Sequence, residues 1–117
     1  MITNCNSRFS TSFICLALST TLQDGLAQAE HRTANNQTLT LNVCFNYGGR
    51  WDIVNAAQQV VAKGQAITLQ SLQENMSTAH CGDPDLVIRT GGELRISNFL
   101  LWQSAYSEFV FSPKLWP

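Results

Sequence analysis

The chain has 117 residues, 44% hydrophobic and 13% charged, with seven Lys+Arg against eight Asp+Glu and a formal net charge of −1. Soluble domains usually carry about a quarter charged residues, and the lack of clustered cation excludes a generic basic nucleic-acid binder. Seven Gly and three Pro are too few for a disordered or collagen-like chain, and no apolar run reaches the roughly 18 residues of a membrane-spanning helix.

Residues 1–18 show no clear period and are assigned no element. Arg8 precedes an apolar stretch at 12–18, but that stretch is at or below the roughly 7-residue minimum of a signal-peptide core, and no small-residue cleavage site directly follows. A buried or poorly ordered stretch is expected there instead of a signal peptide. Thr20-Thr-Leu-Gln23 has the form of a capping box, and Leu22, Leu26 and Ala29 follow at helical spacing, with His31 and Arg32 in the last turn. A helix is predicted over about 20–34.

Residues 38–47 alternate and are rich in β-branched and aromatic types, so they predict a strand. Gly48-Gly49 turns the chain, and Ile53, Val54, Ala57, Val60 and Val61 mark one face of a helix over about 50–62. Asp52 falls in its first turn and Gly64 closes it. A shorter helix is predicted at 70–79, with Ser71 and Glu74 as its capping pair. Asp83-Pro84-Asp85 makes a turn, and Leu86-Val-Ile88 reads as a short strand buried on both faces. The polar loop 89–97 follows. Residues 98–106 then predict a helix, with Phe99, Leu100, Leu101 and Trp102 as core or subunit interface, and residues 109–111 a further strand. This order implies an α/β fold with a parallel sheet and right-handed crossovers.

Ligands of open parallel sheets lie beyond the carboxyl ends of the strands. Two loops occupy such positions: Asn46-Tyr-Gly-Gly-Arg50 and Arg89-Thr-Gly-Gly-Glu-Leu-Arg-Ile-Ser97. In the second, Arg89 and Arg95 offer two guanidinium forks, Gly91-Gly92 lets main-chain amides approach a ligand, and Ser97 is expected to open a helix. Together these make a phosphate or diphosphate site. The local pattern fits equally two surface arginines and a serine that only caps a helix. The loop is neither GxxxxGK[ST] nor GxGxxG.

Glu93 and Glu108 are the acids near this segment, and Glu108 is expected to face the same cleft, where a carboxylate beside a diphosphate suits Mg2+. An exposed acid at a helix end fits Glu108 as well. His31 and His80 lack spaced partners, and no GxSxG or Cys–His pairing supports nucleophilic catalysis. Cys5, Cys15, Cys44 and Cys81 show neither CxxC nor zinc-finger spacing, so all four are expected to be reduced thiols of a cytoplasmic protein.

Leu39-Thr-Leu-Asn-Val-Cys-Phe-Asn-Tyr-Gly-Gly-Arg-Trp-Asp-Ile53 and Asp85-Leu-Val-Ile-Arg-Thr-Gly-Gly-Glu-Leu-Arg-Ile-Ser-Asn-Phe-Leu-Leu-Trp-Gln103 resemble the C-terminal half of the cis-prenyltransferases, the undecaprenyl diphosphate synthases in particular. Ala105-Tyr-Ser-Glu108 and Leu115-Trp-Pro117 continue the similarity, which runs from about residue 18 to the last. The second string is highly specific.

The resemblance implies a partial parallel sheet with flanking helices, with residues 1–17 unassigned and 18–117 as the C-terminal portion of the domain. It implies a transferase that condenses isopentenyl diphosphate repeatedly onto farnesyl diphosphate, with Mg2+, making the long cis-polyprenyl chain of the cell-wall lipid carrier. The family's isopentenyl diphosphate site maps onto Arg89, Arg95 and Ser97, with Ile96 between them, and its Mg2+-binding glutamate onto Glu108. Homodimerisation, a cytoplasmic location and peripheral membrane contact follow from the family, and no nucleic-acid partner does.

Several departures accompany this. The family's Asp-Gly-Asn-Gly-Arg-Trp loop, with its catalytic aspartate, does not occur in the sequence, so no catalytic residue is assigned. The tunnel helices of the N-terminal half and the basic tail after Leu-Trp-Pro are missing as well, and Leu94 stands where some members have histidine. The expectation is a C-terminal fragment, inactive alone. A non-catalytic diphosphate-binding or partner subunit is the alternative, since the family includes such subunits.

Overall fold

A computed structural model describes residues 7–12 and 19–116. Most of the apolar stretch at 12–18, and with it the signal-peptide question, lies outside the described residues, as do Cys5 and Cys15. Cys44 is half-buried and Cys81 is exposed. The elements are β1 (Ser7–Ser12), α1 (Thr20–Thr33), β2 (Leu39–Cys44), α2 (Gly49–Ala62), α3 (Leu69–Asn75), β3 (Leu86–Arg89) and β4 (Glu108–Phe111). The chain divides between Asn46 and Tyr47 into two compact units. No described helix is long and apolar enough to cross a membrane.

In the first unit β1 pairs parallel with β2, in register from Ser7↔Leu39 to Ser12↔Cys44, and α1 lies against β1. β1 had no sequence signal, because Ser-Arg-Phe-Ser-Thr-Ser is mostly polar and is held by hydrogen bonds to a distant strand. α1 forms where expected, but its cap is Ser19, without a side-chain bond, so the box predicted at Thr20 and Gln23 does not form. The Ser19 carbonyl accepts instead from the amides of Leu22 and Gln23, both at 3.0 Å.

In the second unit α2 packs on α3, and β3 pairs parallel with β4 in register from Leu86↔Glu108 to Arg89↔Phe111. Ala56 and Val60 of α2 are buried with Met76 as the apolar core among the described residues. The buried face of α2 runs through Gly49, Asp52, Ala56 and Val60, while Val54 and Val61 are 56% and 62% exposed. The helix is therefore rotated from the orientation that its apolar period suggests, because a buried carboxylate and a backbone contact at Gly49 set its docking.

α3 is capped by Thr68, whose Oγ1 accepts from the Ser71 amide at 3.0 Å while Ser71 Oγ accepts from the Thr68 amide at 2.9 Å. Ser71 is thus the second member of the box and not the first, and Glu74 only accepts from Gln70 one turn back.

Two further expectations are corrected. β3 is not buried on both faces, since Leu86 and Ile88 are exposed and β4 is its partner in a two-stranded sheet. Residues 98–106 form successive turns and no helix. Ser97, Asn98 and Leu100 have φ of 53°, 64° and 46°, which a right-handed helix cannot accommodate. The Asn98 carbonyl accepts from the Gly49 amide at 2.7 Å, so a tertiary bond takes the acceptor that a helix would use.

Candidate functional site

β3 ends at Arg89, and the loop that follows folds back on the end of β4. Gly91 and Gly92 take φ of 91° and 76°, and their amides donate to the Lys114 and Ser112 carbonyls at 2.8 and 3.0 Å. These amides are therefore committed to the protein and do not face a ligand, contrary to the expectation from the Gly-Gly pair. The two glycines make the reversal, which only a residue without a Cβ enters readily.

The reversal brings the charged side chains of the loop into one cluster. Arg89 Nη1 donates to the Arg95 carbonyl and, at 2.8 Å, to Ser97 Oγ, and its Nη2 donates to Glu93 Oε2. Arg95 Nε donates to the same Ser97 Oγ at 3.1 Å, and its Nη2 to Glu93 Oε1 at 2.6 Å. The Ser97 oxygen thus receives a guanidinium N–H from each arginine. With both lone pairs used, its own O–H is left to donate outward. Ser97 does not open a helix, and its place comes from the left-handed turn described above.

Electrostatically the cluster is two cations sharing one carboxylate, a net charge of about +1. Arg89 is 25% exposed and Arg95 70%, so each ion pair with Glu93 is solvent-screened and worth about 0–1 kcal/mol. A multiply charged oxyanion that met both forks and the Ser97 hydroxyl would make charge-assisted bonds of about 1.5–3 kcal/mol each. Arg89, Arg95 and Ser97 share the lining of one cavity of about 200 Å3 with the apolar Val87, Ile96, Phe99, Phe109 and Phe111. The site therefore joins two guanidinium forks to an apolar recess.

Beside the other candidate loop, that of Tyr47 to Arg50, Asp52 is fully buried and accepts from four donors. Its Oδ1 takes the Ser77 amide at 2.9 Å and the Ser77 hydroxyl at 2.7 Å, and its Oδ2 takes Tyr47 OH at 3.0 Å and Gln103 Nε2 at 3.1 Å. Gln103 Nε2 also donates to Thr78 Oγ1 at 2.7 Å. Tyr47 stacks edge-on against Phe99 at 5.7 Å. This loop is thus a support for the segment 97–103, with Tyr47 turned inward, and the Arg50 main chain donates to Asn98 Oδ1 at 3.0 Å.

Glu108 is not brought to the cluster. It starts β4, three register positions from the partner of Arg89, about 10 Å away at the rise of a parallel strand. Its amide donates to the Asp85 carbonyl, and its side chain is exposed. As a hard oxygen donor it fits Mg2+ chemically, since that ion takes one or two carboxylates with phosphate oxygens and water. Its position separates it from the arginines of the same chain, and no group of three His, Cys, Asp or Glu side chains able to hold a metal occurs among the described residues. His31 and His80 join no such group.

Glu93 and Asn98 hold structural roles that the sequence did not disclose. The signal for Glu93 was its charge, four residues after Arg89 and two before Arg95. For Asn98 it was the distant Gly48-Gly49 pair, where a Cβ would come within 3.0 Å of Asn98 Nδ2 and 2.8 Å of Leu101 Cγ respectively.

Residues 3–117 match the Prenyltransf family model, that of undecaprenyl diphosphate synthase. An isoprenyl transferase of Neisseria gonorrhoeae is 52% identical over 94 residues, covering 80% of this chain and 38% of that protein. A ditrans,polycis-undecaprenyl-diphosphate synthase of Haemophilus influenzae, (2E,6E)-farnesyl-diphosphate specific, is 47% identical over 106 residues, 85% of this chain and 44% of its own. The chain thus spans less than half the length of these relatives. Among solved structures, lavandulyl diphosphate synthase from Lavandula x intermedia in complex with dimethylallyl diphosphate superposes with a TM-score of 0.89 at 35% identity, over 97% of this chain and 52% of that one. A probable undecaprenyl diphosphate synthase from Campylobacter jejuni gives 0.87 at 32% identity, over 94% and 52%.

Proposed function

This chain belongs to the undecaprenyl diphosphate synthase family of prenyltransferases, and on that premise we propose that its Arg89–Arg95–Ser97 cluster binds the diphosphate of isopentenyl diphosphate. The observation that carries the reading is the shared Ser97 oxygen, which fixes two guanidinium forks side by side with a hydroxyl between them. In the reaction proposed, the isopentenyl double bond attacks the first carbon of farnesyl diphosphate or its lengthened product, the allylic diphosphate leaves, and a proton is lost to set a new cis double bond. The diphosphate gripped by Arg89 and Arg95 stays on the growing chain, so the cluster acts by binding and orienting. Ile96 and Phe99 line the adjoining recess, which suits the short apolar part of the same molecule.

Support for the acceptor comes from the named relatives: the Haemophilus protein is farnesyl-diphosphate specific, and the Lavandula neighbour holds an allylic diphosphate. The proposal includes Glu108 as one carboxylate ligand of Mg2+, which when bound would neutralise diphosphate charge. It also includes a cytoplasmic homodimer with peripheral membrane contact, serving lipid-carrier synthesis.

Calorimetric titration tests the binding reading. Isopentenyl diphosphate should bind saturably, inorganic diphosphate more weakly, and neutral isopentenol not at all. Equal responses to the diphosphate and the alcohol would refute an anion site.

A further inference from the structure

We infer that Asn98 is a positioning residue, which sets the Ser97 hydroxyl between the two arginines by capping helix α2 from a distance. The inference rests on reading the cluster as the diphosphate site. α2 begins at Gly49, and its N-cap Gly48 offers no side chain to the first amides of the helix. Such amides lack intrahelical partners and need an acceptor. Asn98 supplies both: its carbonyl accepts from Gly49 at 2.7 Å and its Oδ1 from Arg50 at 3.0 Å, across 48 residues of sequence.

This double capture has a cost that shows in the backbone. Ser97 and Asn98 stand at φ of 53° and 64°, conformations that persist where surrounding structure holds them. Asparagine tolerates the left-handed region better than most residues. The turn it makes directs Ser97 Oγ back to Arg89 Nη1 and Arg95 Nε, at 2.8 and 3.1 Å. The two glycines opposite are what make the approach sterically open, since a Cβ on Gly48 would press on Asn98 Nδ2 at 3.0 Å. The Gly-Gly pair and the Asn98 side chain are thus two halves of one clamp.

A double-mutant cycle on the whole chain tests this, with isopentenyl diphosphate as the calorimetric probe. Ser97→Ala and Asn98→Ala should each weaken binding by about tenfold, and the double variant should be little worse than either. Asn98→Asp keeps an acceptor beside a helix N-terminus and should bind within about twofold of wild type. Asn98→Gly enters the left-handed region freely but lacks Oδ1, so it should lose affinity like Asn98→Ala even if the alanine variant does not fold. Additive losses in the cycle, or wild-type affinity in both Asn98→Ala and Asn98→Gly, would overturn the clamp. Arg95→Ala run alongside separates the two readings. If it binds as wild type, the diphosphate site fails and the clamp with it; if it loses affinity while the Asn98 variants do not, only the clamp fails.

Discussion

Asp52 and Gln103 lie 51 residues apart in the chain, yet a buried carboxylate oxygen of one accepts from the buried side-chain amide of the other at 3.1 Å. Both hydrogens of that amide are used, the second by Thr78 Oγ1 at 2.7 Å. The bond ties the first turn of α2 to the end of the segment that carries Ser97. No buried side-chain N or O lacks a hydrogen-bond partner among the described residues.

The first prediction concerns this network. Asp52→Ala leaves the Ser77 amide and hydroxyl, Tyr47 OH and the Gln103 amide facing a void, and should destabilise the protein by about 2–5 kcal/mol. Asp52→Asn retains one acceptor oxygen and should cost less than the alanine. Urea unfolding gives both values; an unchanged midpoint for Asp52→Ala would show that the network contributes nothing.

Two glycines in helices should respond with opposite signs. A Cβ at Gly49 would meet Leu101 Cγ at 2.8 Å and its main-chain nitrogen at 3.0 Å, so Gly49→Ala should destabilise by about 1–3 kcal/mol. Gly25, inside α1, has nothing within 4 Å of such a Cβ, and Gly25→Ala should stabilise by about 0.5–1 kcal/mol through helix propensity. Paired thermal melts decide it, and a rise in melting temperature for Gly49→Ala would contradict the packing described.

At the start of α3, Thr68→Ala removes one half of the capping box and should cost about 1 kcal/mol. Glu74→Ala loses only an exposed contact with Gln70 and should cost a few tenths. The reverse order in denaturant unfolding would restore Ser71 and Glu74 as the cap.

How far the sequence discloses this arrangement depends on which forces act locally. β2 and α2 are legible because alternation and helical period lie within a few residues. α1 is legible in extent, though its capping is not. β1 is invisible, because its polar residues owe their conformation to a parallel partner more than twenty residues on. Residues 98–106 mislead: their apolar spacing suits a helix, but Asn98 is captured by the Gly49 and Arg50 amides, and propensity yields to that capture. In the candidate site, Arg89, Arg95 and Ser97 are recognisable from residue type and spacing and do converge. The means differ from that expectation, since the Gly91 and Gly92 amides are spent on the Lys114 and Ser112 carbonyls respectively, and no helix begins at Ser97. The expected closeness of Glu108 failed because strand register, which sequence does not show, sets it at the opposite end of the ladder.

That position carries a prediction of its own. Glu108→Gln removes a carboxylate charge far from the guanidinium forks, so binding of isopentenyl diphosphate without Mg2+ should be unchanged, and only the increment added by Mg2+ should fall. Titrations with the metal and with a chelator measure both. An equal loss in the two conditions would mean that Glu108 supports the arginine cluster directly.

If the Arg89–Arg95–Ser97 cluster cradles the diphosphate, the affinity of Arg95 variants for isopentenyl diphosphate must show it. Arg95 is largely exposed, and its guanidinium bonds Glu93 and Ser97, so truncating it should leave the fold intact. Arg95→Ala should weaken binding about ten- to a hundredfold, the worth of one charge-assisted contact of about 1.5–3 kcal/mol. Arg95→Lys should recover only part of that, because an ammonium keeps the charge but not the planar fork that grips Ser97 and a phosphate together. Wild-type affinity in Arg95→Ala, in a protein whose melting temperature is unchanged, would contradict the account.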